Sequence, residues 1–196
     1  MFDLNSFIGE CRAAVGAGGS YSSVREVVAK AVSAPREVLR ALGEPSRAQL
    51  QTLHRSKELT ILNVIWAPRM VLLPHDHRMW AVIGIYTGRE DNMFWRRVPG
   101  AAGGKVEAAG ARALGERDAI PLGEQIIHSV TNPIPRLTGA IHVYGGDFFG
   151  VPRSEWDPEM LTEQPSDGAR LLRRFEEANA LHAAARELAA RAEEHS

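Results

Sequence analysis

Seven histidines are spread unevenly along the 196-residue chain, and three have the types and spacing of metal ligands. His75 and His77 flank Asp76 directly after Pro74. On an extended segment, side chains two residues apart share a face with Cα atoms about 6.6 Å apart, a usable pair of adjacent nitrogen donors. The competing reading is a solvated polar turn, since Pro74 and Asp76 are turn formers. His128 lies within Ile126-Ile127-His128-Ser129-Val130, an apolar run in which an unpartnered imidazole carries a desolvation cost. A hydrogen bond to backbone would also meet that cost. Brought to one barrel interior by two strand segments, the three would form a facial set of neutral ligands. The opposite positions of an octahedral iron would stay open for substrate and oxygen. His142 and Tyr144 repeat the i, i+2 spacing and share a face; the plain alternative is a half-buried strand with one polar and one aromatic residue.

The elements that must position these residues follow from changes of period. In residues 1–57, Val24, Val27 and Val28, then Val38, Leu39 and Leu42, recur at three- and four-residue spacing, with Ser22 or Ser23 as a cap and Gly43 as a stop. This zone reads as short amphipathic helices. Residues 58–150 hold β-branched and aromatic runs at 59–66, 80–86, 92–97, 125–130 and 139–144, punctuated by proline and glycine. Many short strands without long intervening helices predict an antiparallel sandwich or barrel. The Ala- and Gly-rich stretch 100–114 reads as a flexible hairpin loop, and Glu90-Asp91 as a solvent-exposed hairpin turn. Residues 151–196 form a C-terminal extension. From Asp167 onward, Leu171, Leu172, Phe175, Ala178, Leu181 and Leu188 mark one face of a surface helix that packs on the barrel or on a partner subunit. The whole reads as one domain.

Composition limits the function classes. With 23 Lys+Arg against 24 Asp+Glu, the formal net charge is −1, too little to steer the chain to nucleic acid or an anionic membrane. The lone cysteine, Cys11, excludes an intramolecular disulfide framework and a cysteine-based zinc site, and fits a reducing compartment. The N-terminus has no signal-peptide core, and no apolar stretch approaches the roughly 20 residues of a spanning helix. A cytoplasmic location is expected.

The motifs resemble those of the cupin superfamily. His75-x-His77 fits the first, and Gly115-x5-Pro121-x-Gly123-x4-His128-x3-Asn132 looks like the second with two extra residues before the histidine. Arg69 stands where a glycine is common, and Ala81 or Val82 where a glutamate ligand is expected. Trp66 nine residues before His75, His75-Asp76-His77-x-x-Trp80 and His142-Val143-Tyr144 are similar to the thiol dioxygenases, cysteine dioxygenase and more closely the bacterial 3-mercaptopropionate dioxygenase type. The similarity spans roughly residues 52–150.

The resemblance implies a cupin double-stranded β-helix, a jelly-roll barrel, with N-terminal helices and a C-terminal helix. His75, His77 and His128 would ligate Fe(II), and a small carboxylated thiol such as cysteine or 3-mercaptopropionate would be oxidised with O2 to its sulfinic acid. Tyr144 would hydrogen-bond iron-bound oxygen or substrate, with His142 orienting it. The family serine two residues before that histidine is Ala140 here, and no cysteine of the barrel is available to cross-link Tyr144. Arg55 lies where cysteine dioxygenase carries its carboxylate-binding arginine, if a short loop is deleted before Leu59. A guanidinium fork suits that role. Arg69 and Arg78 compete, although strand alternation turns Arg78 away from the face of His77. His54 is a pocket or surface residue, and His182 and His195 are solvated. Asn132 would fix the loop after His128. The alternatives are a three-histidine cupin dioxygenase that cleaves a carbon–carbon bond, or a non-catalytic metal- or ligand-binding cupin. The chain would act as a monomer or homodimer.

Overall fold

The computed structural model describes residues 1–16 and 21–194; His195 lies outside them. Three helices come first, α1 (Leu4–Gly16), α2 (Tyr21–Val32) and α3 (Pro35–Leu42). Then follow β1 (Gln49–Arg55), β2 (Thr60–Trp66), β3 (Val71–Asp76), β4 (Ala81–Thr87), β5 (Arg89–Arg97), β6 (Val106–Gly115), β7 (Ala119–Leu122), β8 (Ile127–Thr131), β9 (Thr138–Tyr144), β10 (Ser154–Trp156), β11 (Glu163–Pro165) and the long helix α4 (Gly168–Glu194). One sheet has the order β1-β2-β9-β4-β7 and the other β11-β10-β3-β8-β5-β6, with antiparallel pairing throughout. Sequence neighbours thus separate between sheets and return beside distant strands, as in the double-stranded β-helix.

Burial explains the composition of the central strands. β2 and β9 are buried at every position, because the five-stranded sheet is covered on both faces and neither face tolerates alternation with charge. One apolar cluster fills the barrel and includes Trp66, Ile83, Leu114, Tyr144, Phe148 and Phe175. The other lies between that sheet and the N-terminal helices and includes Phe7, Cys11, Val24, Val28, Val82 and Tyr86. Gly84 of β4 makes the second layer possible: a Cβ there would meet the Cγ1 atoms of Val28 and Val32. Cys11 is fully buried in this outer layer, and burial pushes its thiol up to about 12. It belongs to a different cluster from Tyr144.

Four sequence expectations need correction. β1 falls inside the zone read as helical, and β10 and β11 fall beyond 150, so the sheets extend past both ends of the expected 58–150. β1 was obscured because it is an edge strand with polar residues at most positions. Residues 106–115 form strand β6, paired along β5, not a loop. Its small, exposed residues suit a sheet edge facing solvent. Glu90 belongs to β5 and is fully buried; the chain bends at Gly88, with φ of 84°, where it passes from β4 in one sheet to β5 in the other. Among the described residues, no helix is long and apolar enough to cross a membrane.

Candidate metal centre and substrate pocket

Cross-strand register brings the three histidines together. His75 on β3 is paired directly with His128 on β8, and His77 follows two residues later with the same parity. The Nε2 atoms of His75 and His77 are 3.2 Å apart, as are those of His77 and His128. All three rings present a ligand nitrogen within 4.8 Å of the others. Two imidazole nitrogens sharing one ion at about 2.1 Å stand roughly 3.0 to 3.4 Å apart, so the spacing fits a single metal ion.

Hydrogen bonds define the donor atoms. The carbonyl of Leu73 lies 2.8 Å from His75 Nδ1 and can only accept, so Nδ1 carries the proton and Nε2 keeps its lone pair. Asn92 Oδ1 does the same for His128 Nδ1 at 2.7 Å. Burial lowers all three histidines: His75 falls to about 4, and His77 and His128 go well below the usual imidazole range, with the neighbouring imidazoles adding to the effect. The set is neutral at pH 7 and can bind a cation without first losing protons. Asp76 points the other way, where it accepts from Arg78 Nε at 2.9 Å and from the Ser154 amide at 2.7 Å.

The triad opens into a pocket whose wall includes Leu50, Val64, Trp66, Leu72, His142, Tyr144, Phe148, Arg153, Leu171, Arg174 and Phe175. Tyr144 stacks edge-on against His77, with ring centroids 5.0 Å apart, and its hydroxyl lies 3.1 Å from His142 Nδ1. Burial raises the Tyr144 hydroxyl above the ordinary tyrosine range, so it remains a proton donor at neutral pH. Helix α4 forms part of the wall. Asn179 ties it to β1 by exchanging hydrogen bonds with the Ala48 backbone, at 2.7 and 3.0 Å, and Phe175 packs on Trp66. Farther along α4, Leu181 and Leu188 are exposed.

Two arginines line the triad's pocket, Arg174 of α4 and Arg153 just before β10; Arg153 is the one fixed over an aromatic ring. Its Cζ sits 3.8 Å from the centre of the Phe148 ring. Burial holds its guanidinium below the usual arginine range, with Tyr144 and nearby carboxylates opposing the shift; it stays charged, because arginine titrates far above neutrality. It has no carboxylate partner among the described residues, whereas Arg78 and Arg170 pair with Asp76 and Glu155.

The structure does not bring Arg55 to this pocket. Arg55 ends β1 on the exterior, where it holds Asp147 through two bonds of 2.8 and 2.9 Å. Arg69 donates to the Pro133 carbonyl on the surface, and Arg78 turns outward. His54 lies on β1 away from the pocket, and His182 is half-buried on α4, also away from it. Asn132 donates to the carbonyls of Trp66, Ala67 and Arg136, clamping the loop after β8. Sequence reasoning missed Arg153 because it lies beyond the barrel motifs, in a segment with no periodic signal. It also missed Glu90, although Glu90 and Asn92 share parity on β5 and are both buried.

No protein-family model matches the chain. Similar solved structures include an RmlC-like cupin family protein with a double-stranded β-helix fold from Methanocaldococcus jannaschii, at 8% identity over 55% of this chain and 87% of that chain, with a TM-score of 0.45. A cupin superfamily protein from Desulfitobacterium hafniense is similar at 14% identity over 54% and 85%, with a TM-score of 0.42. Oxalate decarboxylase from Bacillus subtilis is similar at 15% identity over 47% and 22%, with a TM-score of 0.37.

Proposed function

We propose that the protein is an Fe(II)-dependent thiol dioxygenase that converts a small carboxylated thiol and O2 into the sulfinate. The observation that carries this reading is the convergence of three neutral histidine donors, a protonated buried tyrosine and an unpaired guanidinium on one pocket. His75, His77 and His128 would hold the metal, which when bound supplies a Lewis acid for the thiol and a place for O2 beside it. Three neutral ligands leave the ion's positive charge uncompensated, which favours an anionic thiolate.

The remaining work falls to the chain's own groups. Arg153 would fork onto the substrate carboxylate, holding the sulfur end toward the triad. Phe148 holds the guanidinium in place through its ring face. Tyr144 would place its hydroxyl oxygen at the reacting centre while its O–H donates to Nδ1 of His142, a hydrogen-bonded pair through which a proton can move. Leu171 and Phe175 of α4 help exclude water from that end of the pocket, so that the thiolate and O2 meet as an oriented pair. The overall step balances as thiolate plus O2 giving sulfinate: two S–O bonds form, the O–O bond breaks, and sulfur supplies the four electrons.

The test is oxygen uptake by iron-loaded protein with cysteine, 3-mercaptopropionate and mercaptosuccinate, with sulfinate measured as product. One O2 consumed per sulfinate formed supports the reading. Iron bound at one per chain without oxygen uptake on any thiol overturns it. Uptake with a sulfur-free diketone acid instead would move the assignment to carbon–carbon cleavage. His77→Ala should lose the metal in either case.

A further inference from the structure

The thiol dioxygenase resemblance leaves an unfilled position: where a serine would orient the histidine behind the tyrosine, this chain has Ala140, buried in β9 without a hydroxyl. The opposite nitrogen of His142 is nonetheless occupied. Its Nε2 lies 3.3 Å from Oε2 of Glu90, which is fully buried on β5. Trp66 Nε1 donates to the same oxygen at 2.7 Å, and Asn92 Nδ2 donates to Oε1 at 3.0 Å.

Three carboxylates are buried among the described residues, Asp76, Glu90 and Glu155. Asp76 and Glu155 each pair with an arginine. Glu90 has no arginine or lysine within ion-pair distance; its partner on that side is the imidazole of His142. A buried carboxylate compensated only by neutral donors and an imidazole contributes little to stability compared with an apolar residue of similar size, so packing alone does not account for it.

The hydrogen-bond inventory shows what the carboxylate can do. An ionised carboxylate only accepts. Asn92 must therefore turn its amide nitrogen toward Glu90, which leaves Oδ1 to face His128, and Oδ1 in turn requires the proton of His128 on Nδ1. By the other oxygen, Glu90 requires a proton on Nε2 of His142, which leaves Nδ1 as the nitrogen facing the Tyr144 hydroxyl. We infer that Glu90 is a positioning residue that sets the proton positions on both imidazoles, presenting the Nε2 lone pair of His128 to a metal and Nδ1 of His142 to Tyr144. In this chain Glu90 takes over the orienting task that Ala140 cannot perform and extends it to a metal ligand. The inference rests on the metal-dependent reading of the triad but not on the thiol reaction.

Glu90→Gln tests it with little change in volume. A carboxamide cannot accept on both sides, so one route must reverse: Asn92 flips and His128 turns its protonated nitrogen to the metal, or His142 loses its acceptor. Two readouts decide. In metal-free wild-type protein carrying 15N-labelled histidine, the proton should sit on Nδ1 of His128 and on Nε2 of His142, and in Glu90→Gln at least one of the two should change tautomer. Titration with Co(II) alone should show affinity weakened by about 10- to 100-fold in the variant, the usual effect of removing a partner behind a ligand. Wild-type tautomers opposite to these, or a variant with unchanged tautomers and Co(II) affinity within twofold of wild type, would overturn the inference. If Glu90→Gln does not fold, the wild-type tautomers still decide it. Neither readout needs turnover, so a protein that oxidises no thiol but shows both effects would lose the thiol reading and keep this one.

Discussion

The guanidinium of Arg153 rests over the ring of Phe148, 3.8 Å from its centre, and faces the pocket that contains His75, His77 and His128. The contact holds a cation at a fixed place without neutralising it. A carboxylate partner would cancel the charge; an aromatic face orients it and leaves its N–H groups for a ligand.

Removing that charge should weaken substrate binding and leave the metal in place. For Arg153→Ala, KM for a carboxylated thiol should rise about 10- to 100-fold, the equivalent of losing a charge-assisted hydrogen-bonded pair worth about 1.5–3 kcal/mol. Arg55→Ala should leave KM unchanged, because it breaks only an exterior, solvent-screened pair with Asp147. Steady-state kinetics on both variants check this; a KM increase confined to Arg55→Ala would reverse the assignment.

Tyr144→Phe keeps the ring against His77 and removes only the hydroxyl. The variant should bind metal at wild-type stoichiometry while kcat falls by about 10²-fold or more, the scale of a lost general acid–base group. Metal analysis and turnover on the same sample separate the two effects. Wild-type kcat would show that the hydroxyl does not touch the reacting atoms.

The strap formed by β10 and β11 has an acid-sensitive anchor. Hydrogen bonds from Arg97, then from Ser154, and the charges of Arg97 and Arg78 hold Glu163 at about 2, against burial. Its folded pKa is depressed, so its contribution is complete above the ordinary glutamate range and disappears as pH falls toward 2. Glu163→Gln should therefore lower Tm at pH 7 and leave it nearly unchanged near pH 2. Thermal melts across that window read the difference, and an equal deficit at both ends would exclude a charge-based role.

Gly84→Ala should cost about 1–3 kcal/mol, the range for overpacking a filled interior, because the added methyl must displace Val28 and Val32 of α2. Urea denaturation gives the number. Metal affinity should be unaffected, since this layer lies on the opposite side of the sheet from the pocket.

The ligand triad was legible because two simple rules reach it. The i, i+2 parity of a strand puts His75 and His77 on one face, and an imidazole at the centre of an apolar run, as at His128, implies an interior task. The same parity links Glu90 with Asn92 on β5, but the nearby Gly88 and the acidic pair read as a turn, because sequence shows where polar residues cluster and not where the chain crosses from one sheet to the other. Residues 100–114, which include most of β6, read as a loop for a related reason: an edge strand facing solvent selects small and polar residues, so the hydrophobic alternation that announces a strand is missing. Arg55 and Arg153 differ in no local feature that sequence can weigh.

Sequence by itself indicated an antiparallel sandwich or barrel, the outer helices and three histidines with the spacing of metal ligands, all properties that follow from short-range periodicity and residue chemistry. Only the tertiary structure decided which arginines line the pocket of the three histidines and which carboxylate lies behind His142 and Asn92. Those choices depend on register between strands far apart in the chain: β3 beside β8 and β10, β5 beside β8, and β9 between β2 and β4. Such pairings are selected by the packing of the whole core, which is why Arg153 and Glu90 reach the site while Arg55 ends outside it.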